Sequence, residues 1–289
     1  MQIVTDSGTD TGLSPEEAAA LNVTTVPLVV TLAGASYRED IDITPEDFYS
    51  KLAASDQMPT TSQPSAGNFA EVYRRLAETD PEILSIHMSS GLSGTYNSAL
   101  AGAALVPEAH VTHVDTKTLS AAAGWQVVAA ARAAKAGWPL DKILALVARI
   151  SAASESMYTL SELKYLIHGG RISHMKGLIA SLLNIKPLIG VEKVNGTYVQ
   201  LGQSRSFGRA VAKLGELMTR HHPLGSKLRV QVLHAYNPEG ATALREIVDD
   251  LFECSWLPVG PMSLVLGAHT GSSMVGVAFA PLATFADIP

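Results

Sequence analysis

The sequence predicts an α/β protein in which an N-terminal domain with a parallel sheet precedes a C-terminal α+β domain. In the first half, apolar runs typical of strands at residues 2–5, 83–88 and 111–114 alternate with helical patterns. Strands that alternate with helices form βαβ units and a parallel sheet. In the second half, Asn195-Gly196 lies between two apolar runs, which predicts an antiparallel hairpin. We therefore divide the chain into residues 1–155 and 156–289.

The helices of the first half begin at clear start signals. Ser14-Pro15 and Thr44-Pro45 each place a capping hydroxyl before a proline and two acidic residues. Further helices are predicted at 68–76, 98–105 and 120–135, and the β-branched run at 23–32 predicts one strand region. Residues 58–65 hold two prolines and four hydroxyl residues, so no regular structure is expected there.

The second half mixes helices with short strands. Gly169-Gly170 predicts the end of a helix, and Ser173 is a candidate N-cap for another. Strands are predicted at 189–193, 197–201, 229–234, 262–266 and 275–280, and helices at 160–168, 209–220 and 240–253.

Composition excludes several classes of protein. The net charge of −6 and the absence of a basic run argue against nucleic-acid binding. The single cysteine, Cys254, excludes an internal disulfide and indicates a reducing compartment. No stretch supplies about 20 continuous apolar residues, and no signal-type N-terminus is present. We therefore expect a soluble cytoplasmic protein without stable membrane insertion.

The most informative segment is 88–97, Met-Ser-Ser-Gly-Leu-Ser-Gly-Thr-Tyr-Asn, which lies between a predicted strand and a predicted helix. Free N–H groups and the positive end of a helix dipole make such a loop an anion site. The hydroxyls of Ser89, Ser90, Ser93 and Thr95 add donors, so the loop is predicted to hold a carboxylate or phosphate. The alternative is a turn with an N-cap.

The nucleotide and nucleophile motifs do not fit this loop. Thr95 stands where a G-x-S-x-G elbow needs its last glycine, and no Gly-Lys-Ser/Thr closes a P-loop. No G-x-G-x-x-G follows the first strand, which disfavours a dinucleotide. Asp6-Ser7 and Asp115-Thr116 end neighbouring strands and are expected at the same rim of the sheet. No ligand spacing predicts a metal site.

Six polar segments, in order along nearly the whole chain, resemble the DegV family of bacterial fatty-acid-binding proteins. They are Asp6-Ser7, Thr-Thr-Ser-Gln-Pro-Ser at 60–65, Ser-Ser-Gly-Leu-Ser-Gly-Thr-Tyr at 89–96, Leu-Lys-Tyr-Leu-Ile-His-Gly-Gly-Arg-Ile at 163–172, Leu-Asn-Ile-Lys-Pro at 183–187 and His-Thr-Gly at 269–271. The resemblance implies two domains that enclose one long-chain fatty acid as the ligand, with no cofactor.

The resemblance also implies a partner. Similar proteins present the acid to a separate ATP-dependent kinase, the catalytic subunit of a fatty acid kinase that serves phospholipid metabolism. The chain itself is then a lipid-binding, substrate-presenting subunit with no catalytic residues and not an enzyme.

A carboxylate taken from water needs several hydrogen bonds or a positive partner. The residues that the resemblance and their chemistry assign to the carboxylate are Thr61, Ser62, Ser93, Gly94, His269 and Thr270. His269 can donate from a ring nitrogen and, as imidazolium, would add charge; the alternative is a histidine that bonds its own turn. Arg171 is assigned either to the head-group rim and kinase contact or to the helix end before it. Arg205 is assigned to the same rim or to the solvated surface.

The tail requires an apolar tunnel. Its candidate residues are Ile179, Leu182, Leu183, Ile185, Leu188, Met262, Leu264 and Leu266, which are equally suited to the core. Burial at roughly 0.8 kcal/mol per methylene gives about 12 kcal/mol for about 15 methylenes, from which association costs of several kcal/mol are subtracted. The tail is therefore expected to dominate the affinity.

Two alternative functions remain open at this level. One is a stand-alone enzyme, either a hydrolase that uses Ser93 or a phosphoryl-transfer domain. The other is a sensor of a phosphorylated sugar or another small anion, which would have no slot for a tail.

Overall fold

The computed structural model of the protein describes residues 1–175 and 185–289. The strands of the first half are β1 (Gln2–Asp6), β2 (Val23–Val26), β3 (Val29–Leu32), β4 (Ala35–Arg38), β5 (Thr60–Ser62), β6 (Glu82–His87) and β7 (His110–Asp115). Its helices are α1 (Pro15–Ala20), α2 (Pro45–Ala54), α3 (Ala66–Ala77), α4 (Thr95–Ala103), α5 (Ser120–Lys135) and α6 (Leu140–Ala153).

The second half continues with strands β8 (Glu155–Thr159), β9 (Lys186–Val191), β10 (Tyr198–Ser204), β11 (Lys227–His234), β12 (Glu253–Trp256), β13 (Gly260–Pro261) and β14 (Val275–Pro281). Its described helices are α7 (Lys164–His168), α8 (Phe207–Met218), α9 (Pro238–Leu251) and α10 (Leu264–Thr270).

The first sheet is parallel, as the sequence predicts, with strand order β2-β1-β6-β7. Residues of β1 and β6 alternate between two cores. Val4 and Ile83 pack with Phe69 of α3, whereas Ile3 and Leu84 pack with the alanine-rich α5. Helices therefore cover both faces, which is the layering expected of a parallel sheet.

The second sheet is mixed, with strand order β10-β9-β8-β14-β11-β12, and β13 also pairs with β11. One of its faces packs on α8 and α9. On the other face, Leu233, Ala278 and Ala280 share a core with α5. Helix α5 thus lies between the two sheets. The α/β fold class is confirmed, and the second sheet starts at Glu155, where the sequence divides the chain.

The strands on either side of Pro27, and the strand that pairs with the second of them, differ from the prediction. The single strand region predicted at 23–32 is two strands, β2 in the parallel sheet and β3 in a small sheet of order β4-β3-β5. Residues 60–62 are strand β5, paired with β3 through Thr61 and Val30, so the expectation of irregular structure at 58–65 is wrong there. Pro59 and Pro64 flank β5, and neither removes a ladder N–H.

The main errors of the sequence prediction lie around residues 160–175 and 262–266. The strand predicted at 262–266 is wrong, because α10 begins at Leu264; a short apolar run fits a buried helix as well as a strand. The helix predicted at 160–168 starts only at Lys164. Ser173 lies in a 3-10 turn, Arg171–His174, and the helix predicted after it falls outside the described residues. Strands β4, β8 and β12 and helix α6 have no counterpart in the prediction.

The predicted hairpin is confirmed, with β9 and β10 antiparallel around Asn195-Gly196 and Gly196 at φ +69°. None of the helices in the described part of the chain combines the length and apolar character that a membrane span requires.

Candidate functional site

The glycine- and serine-rich loop joins β6 to α4, which begins at Thr95, three residues earlier than predicted. Ser93 Oγ accepts the N–H of Thr95 (3.2 Å) and shares a hydrogen bond with Thr95 Oγ1 (2.8 Å). Ser93 therefore satisfies the first backbone N–H of α4. If Thr95 Oγ1 is the donor in the shared hydrogen bond, the hydroxyl hydrogen of Ser93 is left for a ligand in the neighbouring cavity.

The first half of this loop contacts the β9–β10 turn of the second sheet and is not left open for a ligand. Ser89 Oγ donates to the carbonyl of Gly196 in the β9–β10 turn (2.8 Å). A Cβ on Gly91 would lie 2.3 Å from the carbonyl oxygen of Asn195, so only glycine fits. Ser90 is engaged by Asp115 through its N–H and by Lys117 through its hydroxyl. The expectation that all four hydroxyls of the loop serve an anion is therefore wrong for Ser89 and Ser90.

A cavity of about 300 Å³ lies beside the second half of the loop. Its polar wall consists of Thr61, Ser62, Gln63, Ser93, Arg171 and His269. Its apolar wall consists of Leu28, Met88, Leu92, Tyr198, Val265 and Leu266. Four of the six residues assigned to the carboxylate thus line one space, although they come from three separate stretches of the chain.

The central contact of the polar wall joins β5 to α10. Thr61 Oγ1 and His269 Nε2 are hydrogen-bonded at 2.8 Å across 208 residues of sequence. His269 is 7% exposed, and burial, with the positive Arg171 and His168 nearby, lowers the pKa of its imidazole to about 4. The side chain is therefore neutral at neutral pH, and the expectation that imidazolium adds charge is wrong for the unliganded protein.

The neutral ring can carry its proton on either nitrogen. Nδ1 is buried against Gly169 and has no hydrogen-bond partner among the described residues. An orphaned buried N–H is rarer than an under-used acceptor, so we assign the proton to Nε2, which donates it to Thr61 Oγ1. The hydroxyl hydrogen of Thr61 is then free for a ligand in the cavity.

Arg171 bonds the end of the helix before it and also lines the cavity. Its Nη1 donates to the carbonyl of Gly169 (2.6 Å) at the end of α7, and its side chain also lines the cavity. Gly170 precedes it at φ +75°, a conformation that favours glycine and turns the chain toward the site. The guanidinium supplies a positive charge beside the neutral donors.

The other residues assigned to the head group lie outside this cavity. Gly94 packs against the side chain of Gln63, where a Cβ would come within 2.2 Å of Oε1. Thr270 Oγ1 donates to the carbonyl of Leu266 within its own helix (3.1 Å). Arg205 is exposed between β10 and α8 and does not line the cavity.

The residues assigned to the tunnel are divided among several places. Leu266 lines the main cavity, and Met262 lines a second, apolar cavity of about 30 Å³ with Met157 and Met274. Leu188 lies instead in the core under α8, and Leu264 is buried at the start of α10. Ile185 is half-buried, and Ile179, Leu182 and Leu183 fall outside the described residues.

Sequence reasoning missed the residue that joins the two cavities. Tyr198 lines both, and its ring meets that of Tyr158 edge to face at 5.7 Å between centroids. The signal available was its position just after the hairpin turn, where β10 returns toward the glycine- and serine-rich loop.

Two carboxyl groups, also missed, hold the opposite end of α10: Glu39 is buried and Asp10 is half-buried. Glu39 accepts the N–H of Leu264 and the hydroxyls of Ser263 (3.0 Å) and Ser7 (2.6 Å). Asp10 accepts the N–H of Ser263 (2.9 Å). Burial raises the pKa of Glu39 to about 8 and that of Asp10 to about 7.

The arrangement around Ser93 offers little to the hydrolase hypothesis. Its hydroxyl bonds Thr95, and no described histidine or carboxylate is its hydrogen-bond partner. An Asp-His-Ser array does exist at Asp6, His87 and Ser85, but all three are 0% exposed. A substrate could not reach that serine.

Two sheets that share a helical layer, with a cavity lined by both polar and apolar side chains, define an α/β protein with a candidate ligand site. A family model described as "Uncharacterised protein, DegV family" matches residues 1–282. This chain belongs to the DegV family.

Relatives of this protein match it over nearly the whole chain. A DegV domain-containing protein of Staphylococcus aureus is 34% identical over an alignment of 282 residues, which covers 95% of this chain and 96% of the relative. A DegV family protein from Thermus thermophilus, solved as fatty acid binding, superposes with a TM-score of 0.86 at 31% identity and covers 97% of this chain and 99% of its own. DegV of Bacillus subtilis, solved as a fatty acid binding protein, gives a TM-score of 0.85 at 27% identity, with 96% and 98% covered.

Proposed function

We propose that this protein binds one long-chain fatty acid, with the carboxylate beside Thr61, Ser93 and His269 and the tail along the apolar wall. The observation that carries the proposal is the Thr61–His269 hydrogen bond at a cavity that is lined by both polar and apolar side chains. The fatty acids bound by the solved DegV proteins of T. thermophilus and B. subtilis support the same ligand class.

The carboxylate is held mainly by neutral donors. The hydroxyl of Thr61, freed by the proton on His269 Nε2, and the hydroxyls of Ser62 and Ser93 donate to its oxygens. Arg171 adds a positive charge on this wall. Charge-assisted hydrogen bonds are roughly twice as strong as neutral ones, which compensates for removing the carboxylate from water.

The tail needs more room than the main cavity provides. Ligand pockets run from roughly 300 to 1,000 Å³, so the cavity of about 300 Å³ suits a head group and the first part of a chain. The tail continues past Tyr198 toward Met157, Met262 and Met274. Methionine side chains adapt to irregular gaps, so they move aside as the chain enters.

We further propose that the bound acid is presented to a separate ATP-dependent kinase in the cytoplasm, where the carboxylate becomes an acyl phosphate. The sequence has no Walker A or G-x-G-x-x-G motif through which this chain would hold ATP. A carboxylate held chiefly by neutral donors keeps its negative charge and hence its nucleophilicity toward a phosphoryl group.

Binding is tested by extraction and by substitution. Purified protein is extracted with organic solvent and analysed by mass spectrometry for co-purified acyl chains, and its affinity for an added fatty acid is measured. Thr61→Val keeps the shape of the side chain and is expected to weaken binding by about tenfold or more. Thr31→Val is the matched control, because the Thr31 hydroxyl bonds only Ser36 at the surface. Wild-type affinity in Thr61→Val would contradict the proposed carboxylate site.

Presentation is tested separately. Loaded protein, ATP and a candidate fatty acid kinase subunit are combined, and the acyl phosphate is trapped with hydroxylamine. We expect product only when the kinase and this protein are both present. Acyl phosphate formed by this protein alone would support the stand-alone phosphoryl-transfer hypothesis. Equal turnover of free fatty acid by the kinase would contradict presentation.

A further inference from the structure

A third cavity, of about 220 Å³, lies between α5, β11 and residues 285–289, apart from the two cavities that the proposed fatty acid would occupy. Its walls include Arg132 in the last turn of α5, Arg229 on β11, and the rings of Trp125 and Phe285. It shares no lining residue with the cavity at Thr61 and His269. This cavity is therefore distinct from the one proposed for the fatty-acid head group.

The guanidinium of Arg229 lies against two aromatic rings and has no acidic partner among the described residues. Its central carbon lies 4.4 Å from the centroid of the Phe285 ring and 5.4 Å from that of Trp125. Trp125 is fixed by a hydrogen bond from Nε1 to Gln231 Oε1 (2.9 Å). The Nε of Arg229 is buried and makes no hydrogen bond within the described residues. A buried donor without an acceptor costs free energy unless a ligand or water satisfies it.

Arg132 places a second positive charge at the same cavity. Burial lowers the pKa of Arg229, and the charge on Arg132 lowers it further. Within residues 1–175 and 185–289, no carboxylate oxygen lies within 4.0 Å of either guanidinium, and Asp10 and Glu17 line the adjoining groove. Two like charges therefore share this cavity without an ion-pair partner in the described part of the chain.

We propose that Arg132 and Arg229 form a second anion-binding site that takes a phosphate group. Two guanidinium groups match a dianion in charge, and their planar N–H donors suit the oxygens of a phosphate. The cavity walls beside them are apolar, from Phe285 and Ile288, and accept the organic part of an ester. The phosphate belongs either to a small soluble molecule or to the head group of an anionic lipid.

The soluble source is tested by isothermal titration of the full chain with inorganic phosphate and with phenyl phosphate, each against chloride at equal ionic strength. The lipid source is tested by co-sedimentation with phosphatidylglycerol vesicles, with phosphatidylcholine vesicles as the reference. Saturable phosphate binding at one site assigns the soluble source, and binding only to phosphatidylglycerol assigns the lipid source.

Substitutions test whether Arg132 and Arg229 bind the phosphate group. Arg132→Gln and Arg229→Gln are each expected to weaken binding by about tenfold or more, and Arg229→Lys by less, because lysine keeps the charge but loses the planar fork. Arg149→Gln is the matched control, since Arg149 already pairs with Asp287 at the surface, and it should change affinity by less than about twofold. Arg132 is exposed, so its substitution leaves the core intact.

The proposal is overturned if no probe binds saturably, or if Arg149→Gln weakens binding as much as Arg132→Gln. Co-purified fatty acid should be unchanged in Arg132→Gln. The fate of this site is therefore independent of the fatty-acid proposal.

Discussion

Two buried pairs of a histidine and a hydroxyl group look alike locally and have opposite surroundings. His87 Nε2 bonds Ser85 Oγ at 2.7 Å, and its Nδ1 bonds Asp6 at 2.9 Å. His269 Nε2 bonds Thr61 Oγ1 at 2.8 Å, but its Nδ1 has no partner in the described part of the chain. The first histidine is packed on all sides, whereas the second lines a cavity.

The difference distinguishes a histidine that stabilises the fold from a histidine that is available to a ligand. Asp6, His87, Ser85 and Tyr73 form one hydrogen-bonded chain that ties β1, β6 and α3 together. A fully satisfied buried network rigidifies its surroundings. The Thr61–His269 pair instead joins two elements across an open space and has hydrogen-bonding capacity to spare, which is what a ligand site requires.

The largest expected effect is on stability, at the satisfied network. His87→Ala should lower the free energy of unfolding by about 3 kcal/mol or more, because the buried Asp6 and Ser85 lose a partner. Urea unfolding measures the effect. The control is His110→Ala, since His110 pairs with Glu82 on the surface, where such pairs contribute less than about 1 kcal/mol. Equal losses in the two variants would contradict the structural role.

A third polar cluster, at the start of α10, sharpens the comparison because it holds the helix that carries His269. The pKa of Glu39 is raised from 4.5 to about 8 in the folded protein, so the folded state binds more protons than the unfolded state between these values. Stability from this group is therefore complete below about pH 4.5 and is lost as the pH rises through about 8.

Urea unfolding at a series of pH values tests this dependence. Since one pKa unit corresponds to about 1.4 kcal/mol, we expect Glu39 to contribute a fall of about 2 kcal/mol or more over this interval, with Asp10 adding to it at lower pH. Glu39→Gln should flatten the dependence, whereas Glu46→Gln on the exposed face of α2 should not. A wild-type curve that rises over the same interval would contradict the assignment.

The next effect is on binding and comes from a single methyl group. A Cβ on Gly169 would lie 2.1 Å from His269 Nδ1, so Gly169→Ala must displace the imidazole from Thr61. We expect about a tenfold loss of fatty-acid affinity, comparable to the loss of a good hydrogen bond. Gly208→Ala in α8 is the control, because a Cβ there meets nothing within 4 Å. Unchanged affinity in Gly169→Ala would contradict a role for His269 in binding the fatty acid.

The smallest effect is spectroscopic. Because burial and the charges of Arg171 and His168 lower the pKa of His269 to about 4, its ring should stay neutral as the unliganded protein is acidified to about pH 5.5. NMR titration of the ring signals measures this, with His269→Gln used to assign them. A titration midpoint above about 6 would contradict the neutral ring and support a charged imidazolium of His269 as the partner of the carboxylate.

Local signals predicted the elements whose hydrogen bonds are local. The hydroxyls of Ser14 and Thr44 accept the N–H groups of Glu17 and Asp47, as their sequence positions indicate. The hairpin around Asn195-Gly196 and helix α5 are also where the sequence places them. The strand prediction at 262–266 was wrong because these apolar residues suit either a strand or a helix. The helix start is held by the carboxyl groups of Glu39 and Asp10, which are distant in sequence.

The sequence alone determined the alternation of strands and helices, the parallel sheet and the polar segments from which the site is built, because periodicity, capping and turn chemistry act over a few residues. The tertiary structure decided which hydroxyls face the cavity. Ser89 and Ser93 lie four residues apart in the same loop, yet Ser89 bonds Gly196 while Ser93 lines the cavity. Partners that arrive from more than a hundred residues away make that choice, and no local pattern encodes them.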